Sequence, residues 1–267
     1  MTLLGAMSLP YCYAATPGNK AIYLTGKMRK SPGMRLLDTA HFIIEVLKEG
    51  SFESGGSGSF EVQRTRLVHA LVRNMILNKT DWDIGWGLPV NQEDMAGTNL
   101  AFSYIILTGM QQSGFELSHK EREDFLYAWR FIGYQLRIDE WLLPADMAEA
   151  QELEKAIRTR HFRKSPEGSL LTSELIDHYR QSFPAVAAYF VDSQIRHFVG
   201  PEISELLGLQ PEDTKDKIVN IINVIRKSIN RTVVNPFSYQ IMMRNHLKLK
   251  RKYSAINNQR SHQGDIA

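Results

Sequence analysis

Apolar residues recur along most of this chain at the three- and four-residue spacing of an amphipathic α-helix. The clearest case follows the helix-breaking sequence at residues 31–33, where six apolar side chains share one helical face: Leu36, Leu37, Ala40, Ile43, Ile44 and Leu47. The two-residue alternation that is typical of β-strands is scarce. The pattern therefore predicts an all-α protein, which we expect to form a single globular domain of eight to ten helices.

Capping residues and breakers divide this pattern into individual helices. Asn91, followed by acidic residues, and Ser118 have the side chains preferred at helix starts, and Pro144 ends a helical segment. Stretches at residues 50–58, rich in glycine and serine, and at 158–168, rich in polar residues, predict loops. The predicted helices cover residues 35–48, 64–77, 92–107, 119–136, 147 onward, 172–183, 184–207 and 216–229.

Composition and charge are those of a globular protein. The 267 residues are 43% hydrophobic, which is enough to fill a sizeable core. The net charge of +3 comes from 32 basic and 29 acidic residues that are interspersed, so it gives no indication of nucleic-acid binding. Only residues 246–252 form a basic run. We therefore expect a helical domain over residues 1–245 and a basic, disordered tail over residues 246–267.

Cys12 is the only cysteine, which excludes an intrachain disulfide framework and a multi-thiolate metal site. Such cysteine usage predicts a reducing compartment, and hence a cytoplasmic location. The longest apolar runs, such as residues 100–107, fall short of the roughly 18 residues that a spanning helix needs, so no transmembrane helix is predicted. Residues 1–15 lack the basic start of a signal peptide and contain Pro10, so we expect the end of a core helix there.

One predicted helix places a histidine between two arginines. Arg66 lies three residues before His69 and Arg73 four residues after it, so the three side chains share one face. Leu67 and Leu71 fall on other sides and are expected to pack against the rest of the fold. An imidazole can ligate iron and guanidinium groups can hold carboxylates, which is the combination that a haem requires. The alternative is a core histidine beside two arginines that extend into solvent.

Further motifs occur in a fixed order around this helix. They are RLLDT at residues 35–39, GLPVNQEDMAGT at 87–98, GYQL at 133–136 and FVGPE at 198–202. Together with the histidine helix, they resemble the haem-containing oxygenases that include latex-clearing protein, the rubber oxygenases and the fungal MpaB-type oxygenases. The resemblance covers most of residues 9–210.

The resemblance implies an all-helical domain that encloses one b-type haem, with His69 as the axial ligand of the iron. It also implies that Arg66 and Arg73 hold the haem propionates. Thr98 matches a threonine that contacts the haem, and Arg196 falls near a later arginine with the same role. Such a set is chemically coherent, because guanidinium groups neutralise the carboxylates that a haem carries.

The chemistry implied by the resemblance is oxidation by dioxygen, with cleavage of a carbon–carbon double bond in a hydrophobic substrate. Arg35, Asp38 and Thr39 would face the distal side of the iron. Asp38 stands where rubber oxygenases carry a lysine, and residues 1–37 contain no Asp or Glu to match an upstream glutamate of the family. We therefore expect a hydrophobic small molecule or lipid other than rubber as substrate. The alternative is a non-catalytic haem-binding or sensing protein.

Three further expectations follow from the sequence and the resemblance. Family members carry additional residues before the segment at 9–13, so we expect a missing N-terminal region and exposed apolar surface, with either a more open haem pocket or pairing into a homodimer as the result. His41 lies close to Thr39 and either faces the distal pocket or the surface. A di-iron carboxylate bundle is disfavoured, because only residues 116–119 supply the Glu-x-x-His spacing that such a site needs twice.

Overall fold

The computed structural model describes residues 3–26, 28 and 31–232, and this part of the chain is all-helical, as the sequence pattern predicted. The basic tail predicted at residues 246–267 lies outside the described residues. The described ranges contain twelve α-helices: α1 (Leu9–Ala14), α2 (Gly18–Leu24), α3 (Pro32–Leu47), α4 (Ser57–Lys79), α5 (Gln92–Phe102), α6 (Tyr104–Gln112), α7 (His119–Gln135), α8 (Met147–His161), α9 (Pro166–Ser182), α10 (Ala185–Tyr189), α11 (Val191–Leu206) and α12 (Asp213–Thr232).

The predicted helix starts at Asn91 and Ser118 are confirmed. Each side chain accepts a hydrogen bond from the backbone amide three residues on, and the carboxylate at that position accepts one from the backbone amide of the cap residue, which makes two capping boxes. Asp146 caps α8 in a similar way through the amides of Ala148 and Glu149. Such caps satisfy amide groups at a helix start from local sequence alone, so these boundaries could be read without knowledge of the fold.

Other boundaries were predicted wrongly, and two of these errors missed a break that divides one predicted helix into two. The predicted helix at 92–107 is broken at Ser103, whose φ of −110° and ψ of −87° are not helical. The predicted helix at 184–207 is divided between α10 and α11, and Gly200 with φ 80° kinks α11 before Pro201. The predicted polar loop at 158–168 is mostly helical, because Ser165 caps α9 directly after α8 has ended.

The core forms around the N-terminal segment. Residues Leu4–Ser8 form a π-helical turn that leads into α1, and Leu9, Tyr11 and Tyr13 are buried. Helix α1 contacts α5, α9 and α11, and Trp129 of α7 is 1% exposed in the same cluster. The expectation that residues 1–15 end a core helix therefore agrees with the burial of their described part.

Helix α4 lies at the edge of this core. It packs against α3, and only four of its residues are fully buried. Leu67 and Leu71, which were expected to pack against the fold, are 61% and 59% exposed. Only one side of α4 is therefore covered by the described residues, and the covered side is the one that faces inward beside α3. None of the described helices is both long and apolar enough to cross a membrane.

Arg196 ties α11 to α12 through a group of acidic side chains. Its guanidinium group donates to Asp216 at 2.7 to 3.1 Å and to the Ser193 hydroxyl at 2.8 Å, and it lies 3.7 Å from Asp192. The Arg196 side chain is 8% exposed, so desolvation makes these bonds necessary. These hydrogen bonds lower the pKa of the Asp216 carboxyl and join α12 to α11.

We predict that Arg196→Ala lowers the free energy of unfolding by about 2 kcal/mol. Removing one partner of a buried ion pair costs roughly 3–5 kcal/mol, and the cost is smaller here because Asp216 is partly exposed. Chemical denaturation followed by circular dichroism measures the change. Lys120→Ala breaks an exposed ion pair with Asp124 and should cost less than about 0.5 kcal/mol. Equal losses in the two variants would contradict this account.

Candidate functional site

A cavity of about 410 Å³ lies among helices α1 to α5, with smaller contributions from α7 and α8. This volume falls within the roughly 300–1,000 Å³ that is usual for small-molecule sites. Aliphatic, aromatic and sulfur-containing side chains form most of the wall. The polar side chains that face it with ionisable groups, hydroxyls or amides are Tyr11, Cys12, Tyr13, Thr25, Arg35, Asp38, Thr39, Arg64, Thr65, His69, Glu93, Asp94, Thr98, Asn99, Trp129 and His161.

His69 contributes an uncharged imidazole to this wall. Burial, together with the positive charges of Arg35 and Arg73, lowers its pKa to about 4. Its Nδ1 atom is buried and has no hydrogen-bond partner among the described residues. A buried polar atom without a partner reduces the stability of the folded state by about 1–3 kcal/mol. A ligand that bonds to Nδ1 would remove this penalty. A neutral imidazole is the form that binds metals.

Helix α3 brings three of the predicted residues to the same cavity. Arg35, Asp38 and Thr39 lie at the spacing of one helical turn, and all three line the wall. The Thr39 hydroxyl donates to the backbone carbonyl of Arg35 at 3.0 Å, and the Arg35 guanidinium lies 3.4 Å from the same hydroxyl. The structure therefore places this predicted group and His69 around one space.

Thr98 reaches the cavity from α5. Its hydroxyl donates to the carbonyl of Asp94 at 2.8 Å, one helical turn earlier. The thiol of Cys12 interacts with Thr98, and burial raises the pKa of that thiol to about 12. The thiol is therefore protonated and unreactive at neutral pH. Thr98 joins α1 to α5 at the wall of the cavity.

The structure does not bring the other predicted arginines to the cavity wall. Arg66 is exposed on α4. The charge of Arg73 lowers the pKa of His69. Its guanidinium group, however, donates to the carbonyls of Pro89 and Val90 at 3.1 and 2.6 Å. Arg196 does not line the cavity and is engaged by the acids of α11 and α12, so its contact with a cofactor stays a prediction. Arg73 thus holds the turn before α5 against α4.

Arg64 lines the cavity, although no role was predicted for it from the sequence. Its Nε and Nη2 atoms donate to one oxygen of the buried Glu61 carboxylate at 2.9 and 2.6 Å. The spacing of Arg64 and His69 is not that of one helical face, so pattern alone would not pair them. The cavity follows a wide arc of α4, however, and both side chains reach it. His41 lies 3.3 Å from Glu61 and does not line the cavity, so the possibility that it faces the pocket is not supported.

An acidic group on α5 also faces the cavity. The carboxylate of Glu93 pairs with Arg160 and His161 of α8. The neighbouring Asp94 is half-buried, and desolvation of its carboxyl raises the pKa to about 6. The sequence indicated these acids as part of a helix cap. That role is confirmed for Asp94, but their place in the cavity wall depends on the packing of α5 against α1, α2 and α8.

Comparisons with known proteins agree with the all-helical fold. The solved structure of latex clearing protein in the closed state aligns with a TM-score of 0.73 and 19% identity, over 93% of this chain and 69% of that one. A rubber oxygenase from Streptomyces sp. (strain K30) is 21% identical over 188 residues, which are 69% of this chain and 46% of the relative. The match with this curated relative thus spans about half of the relative's length.

A family profile matches nearly the whole described part of the chain. The profile describes the catalytic domain of the ER-bound oxygenase mpaB/B' and rubber oxygenase, and it aligns with residues 3–227. These residues include α1 to α11 and all the side chains that line the cavity. The match covers far more than half of the sequence, and the chain therefore belongs to the MpaB/rubber oxygenase catalytic-domain family.

Proposed function

We propose that this chain is a haem b-dependent oxygenase that oxidises a hydrophobic, unsaturated small molecule or lipid, with oxidative cleavage of a carbon–carbon double bond as one outcome. The observation that carries the proposal is the state of His69. Its imidazole is neutral, has a buried nitrogen without a partner and lines a largely apolar cavity. The family is one of oxygenases, and the relatives include a rubber oxygenase.

The side chains of the cavity fit a haem. His69 would ligate the iron through its neutral imidazole. Arg35 and Arg64 line the wall and would neutralise the propionates, and Arg73 would join them only by leaving the carbonyls of Pro89 and Val90. Arg66, which the family pattern favours, would instead need to turn inward from the surface of α4. A bound haem supplies the redox-active iron at which dioxygen is activated.

The chain itself would provide the surroundings of the reaction. The apolar wall excludes water and accepts a hydrophobic substrate, since burial of apolar surface favours binding by roughly 25 cal/mol per Å². Asp38 and Thr39 of α3 are polar groups on this wall, and they can hold a water molecule or a proton near the substrate. Thr98 would support the cofactor from the side of α5.

One observation favours the alternative of a haem-binding protein without oxygenase activity. The cavity, as the described residues define it, has no lysine in its wall, and Asp38 stands where the rubber oxygenases carry one. A carboxylate cannot reproduce the charge or the hydrogen-bond donors of an ammonium group. Loss of an acid or base from a site commonly reduces the rate by a factor of about 10² to 10⁴ and need not affect binding of the cofactor.

We predict that His69→Ala abolishes the Soret band of protein produced with added haem precursor. The reason is that an alanine cannot ligate iron, whereas the rest of the cavity stays in place. Absorption spectra of matched preparations measure this effect. His119→Ala is the control, because the His119 side chain is 82% exposed at the start of α7, and its spectrum should equal that of the parent. A parent protein without a Soret band would contradict the proposal.

Arg35 and Arg66 test whether the structure or the family pattern gives the correct haem-binding arginines. We predict that Arg35→Ala weakens haem binding about tenfold, because a charge-assisted hydrogen bond contributes roughly 1.5–3 kcal/mol. Arg66→Ala should change it less than about twofold, because that side chain is exposed. The rate of haem transfer to excess apomyoglobin measures the difference. A larger effect at Arg66 would favour the assignment made from the sequence.

Oxygen consumption tests the activity. We expect the haem-loaded protein to consume dioxygen when a polyisoprenoid oligomer or an unsaturated fatty acid is added, and mass spectrometry should detect an oxidised product. His69→Ala should show neither result. Haem-loaded protein that leaves both compounds unchanged would favour the alternative, a haem-binding protein without oxygenase activity.

A further inference from the structure

Helix α12 has an apolar side that the described residues leave uncovered. Five aliphatic side chains within eight residues are between 38% and 65% exposed, and they are Ile218, Ile221, Ile222, Val224 and Ile225. Their spacing places them together on one side of the helix. Contiguous exposed apolar surface of this kind is typical of interaction sites.

The opposite side of α12 attaches the helix to the rest of the protein. Val219 and Asn223 are 1% and 3% exposed, and Asp216 accepts hydrogen bonds from the buried Arg196 of α11. The helix is therefore held with its apolar side outward. Because no helix in the described part of the chain is long and apolar enough to cross a membrane, α12 would meet a membrane in the plane of its surface.

Two lysines border the apolar side, one near each end. Lys217 is exposed and Lys227 is partly exposed, and neither forms an ion pair within the described residues. Arg226 turns toward α11 instead, with its Cζ atom 5.5 Å from the centre of the Phe198 ring. The two lysines therefore leave positive charge beside the exposed isoleucines that is available to an anionic partner.

An aromatic side chain of α10 lies beside the start of α12. The ring of Tyr189 is 57% exposed, and the Lys215 Nζ atom lies 4.4 Å from its centre. Lys215 also pairs with Glu212 at 2.7 Å, so its charge is compensated within the protein. Tyrosine is enriched where a membrane meets water, because its ring is apolar and its hydroxyl is polar.

The positive charge of the chain is concentrated at this end of the sequence. Residues 213–267 contain 11 basic and 3 acidic side chains, whereas residues 1–212 contain 21 basic and 26 acidic ones. The first segment therefore has a net charge of +8 and the second a net charge of −5. A negatively charged surface would attract the C-terminal segment and repel the remainder, which favours one orientation of the protein on that surface.

We propose that the apolar side of α12 docks on the surface of a membrane that contains anionic lipids. The isoleucines would enter the boundary between headgroups and acyl chains, and Lys217 and Lys227 would contact the lipid phosphates. Pairing with a second copy fits the charges less well, because it would bring two segments of net charge +8 together. The docking requires no haem. If the proposed function also holds, docking brings the protein to the phase in which a hydrophobic substrate dissolves.

Sedimentation of the full chain with lipid vesicles tests the docking. Phosphatidylcholine vesicles that contain about 30% phosphatidylserine supply the negative surface, and vesicles of phosphatidylcholine alone lack it. We expect the affinity for the anionic vesicles to be at least about tenfold higher, because several basic residues act together. Sodium chloride at about 0.5 M should remove most of this difference by screening.

The apolar contact is tested with the double variant Ile221→Ala and Ile225→Ala. Both side chains are more than half exposed, so the variant should fold, and circular dichroism checks this. Its affinity for the anionic vesicles should fall at least about tenfold, because six carbon atoms no longer enter the lipid. Leu67→Ala with Leu71→Ala is the matched control, since these leucines have the same spacing and are 61% and 59% exposed on α4. The control should bind as the wild type does.

The electrostatic contact is tested with Lys217→Gln. A basic residue near an anionic surface strengthens binding by about fivefold, so this variant should lose roughly that factor. Lys120→Gln is the control, because Lys120 is 83% exposed on α7 and pairs with Asp124. It should bind the anionic vesicles as the wild type does.

Three results would overturn the proposal. Wild-type protein that binds neither type of vesicle, or both equally, does not recognise anionic lipid. Isoleucine variants that bind as the wild type would leave the attraction to the basic residues alone, and an equal loss in the α4 control would place the contact elsewhere. A wild-type dimer that the isoleucine substitutions convert to a monomer, measured by analytical ultracentrifugation, would show that a second copy covers the surface. The Soret band tests the proposed function independently of all these results.

Discussion

Desolvation of polar side chains around one cavity governs the chemistry of this protein. Removing a charge from water is costly, so burial favours the neutral form of every titratable group. The same effect therefore has opposite results for a base and an acid. It lowers the pKa of His69 to about 4 and raises that of Asp94 to about 6. An imidazole that is free to bind a metal and a carboxyl that can carry a proton arise from one physical cause.

Three arginines near the cavity are exceptions, because each is held by hydrogen bonds to neighbouring groups. Arg64 is held by Glu61 and stays charged at the wall, and Arg35 is positioned by Thr39 one turn further along α3. Arg73 bonds to the turn before α5 and still acts on His69 through its charge. Two guanidinium groups in a wall that is mostly apolar suit an anionic group with a hydrophobic body. A haem has this combination, which is why the proposed function follows from the lining as well as from the family.

The helix that carries His69 has two different environments. Its inward side provides much of the cavity wall, whereas Leu67 and Leu71 are exposed on the outward side. Apolar residues in that position usually signify a covered surface. The described residues do not show what covers it, so the expected homodimer remains a prediction.

The sequence by itself determined the features that depend on neighbours along the chain. Helical periodicity and the capping boxes at Asn91 and Ser118 depend on a few neighbouring residues, and both were predicted correctly. Arg35, Asp38 and Thr39 are also close in sequence, and they lie together on the cavity wall. The breaks at Ser103 and Gly200 were missed, although at Gly200 the cause is local, a glycine with positive φ before Pro201.

Only the tertiary structure decided which cations serve the cavity. Arg196 matched a family position, but its location between α11 and α12 surrounds it with acids. Arg64 has no distinguishing spacing, yet the arc of α4 that borders the cavity includes it. The reason is physical: periodicity tells which residues share a helix face, whereas the electrostatic role of a side chain depends on groups that other helices bring within a few ångströms. Asp94 shows this difference most clearly. The sequence predicts its role in the cap of α5, whereas the packing of the helices places it in the cavity wall.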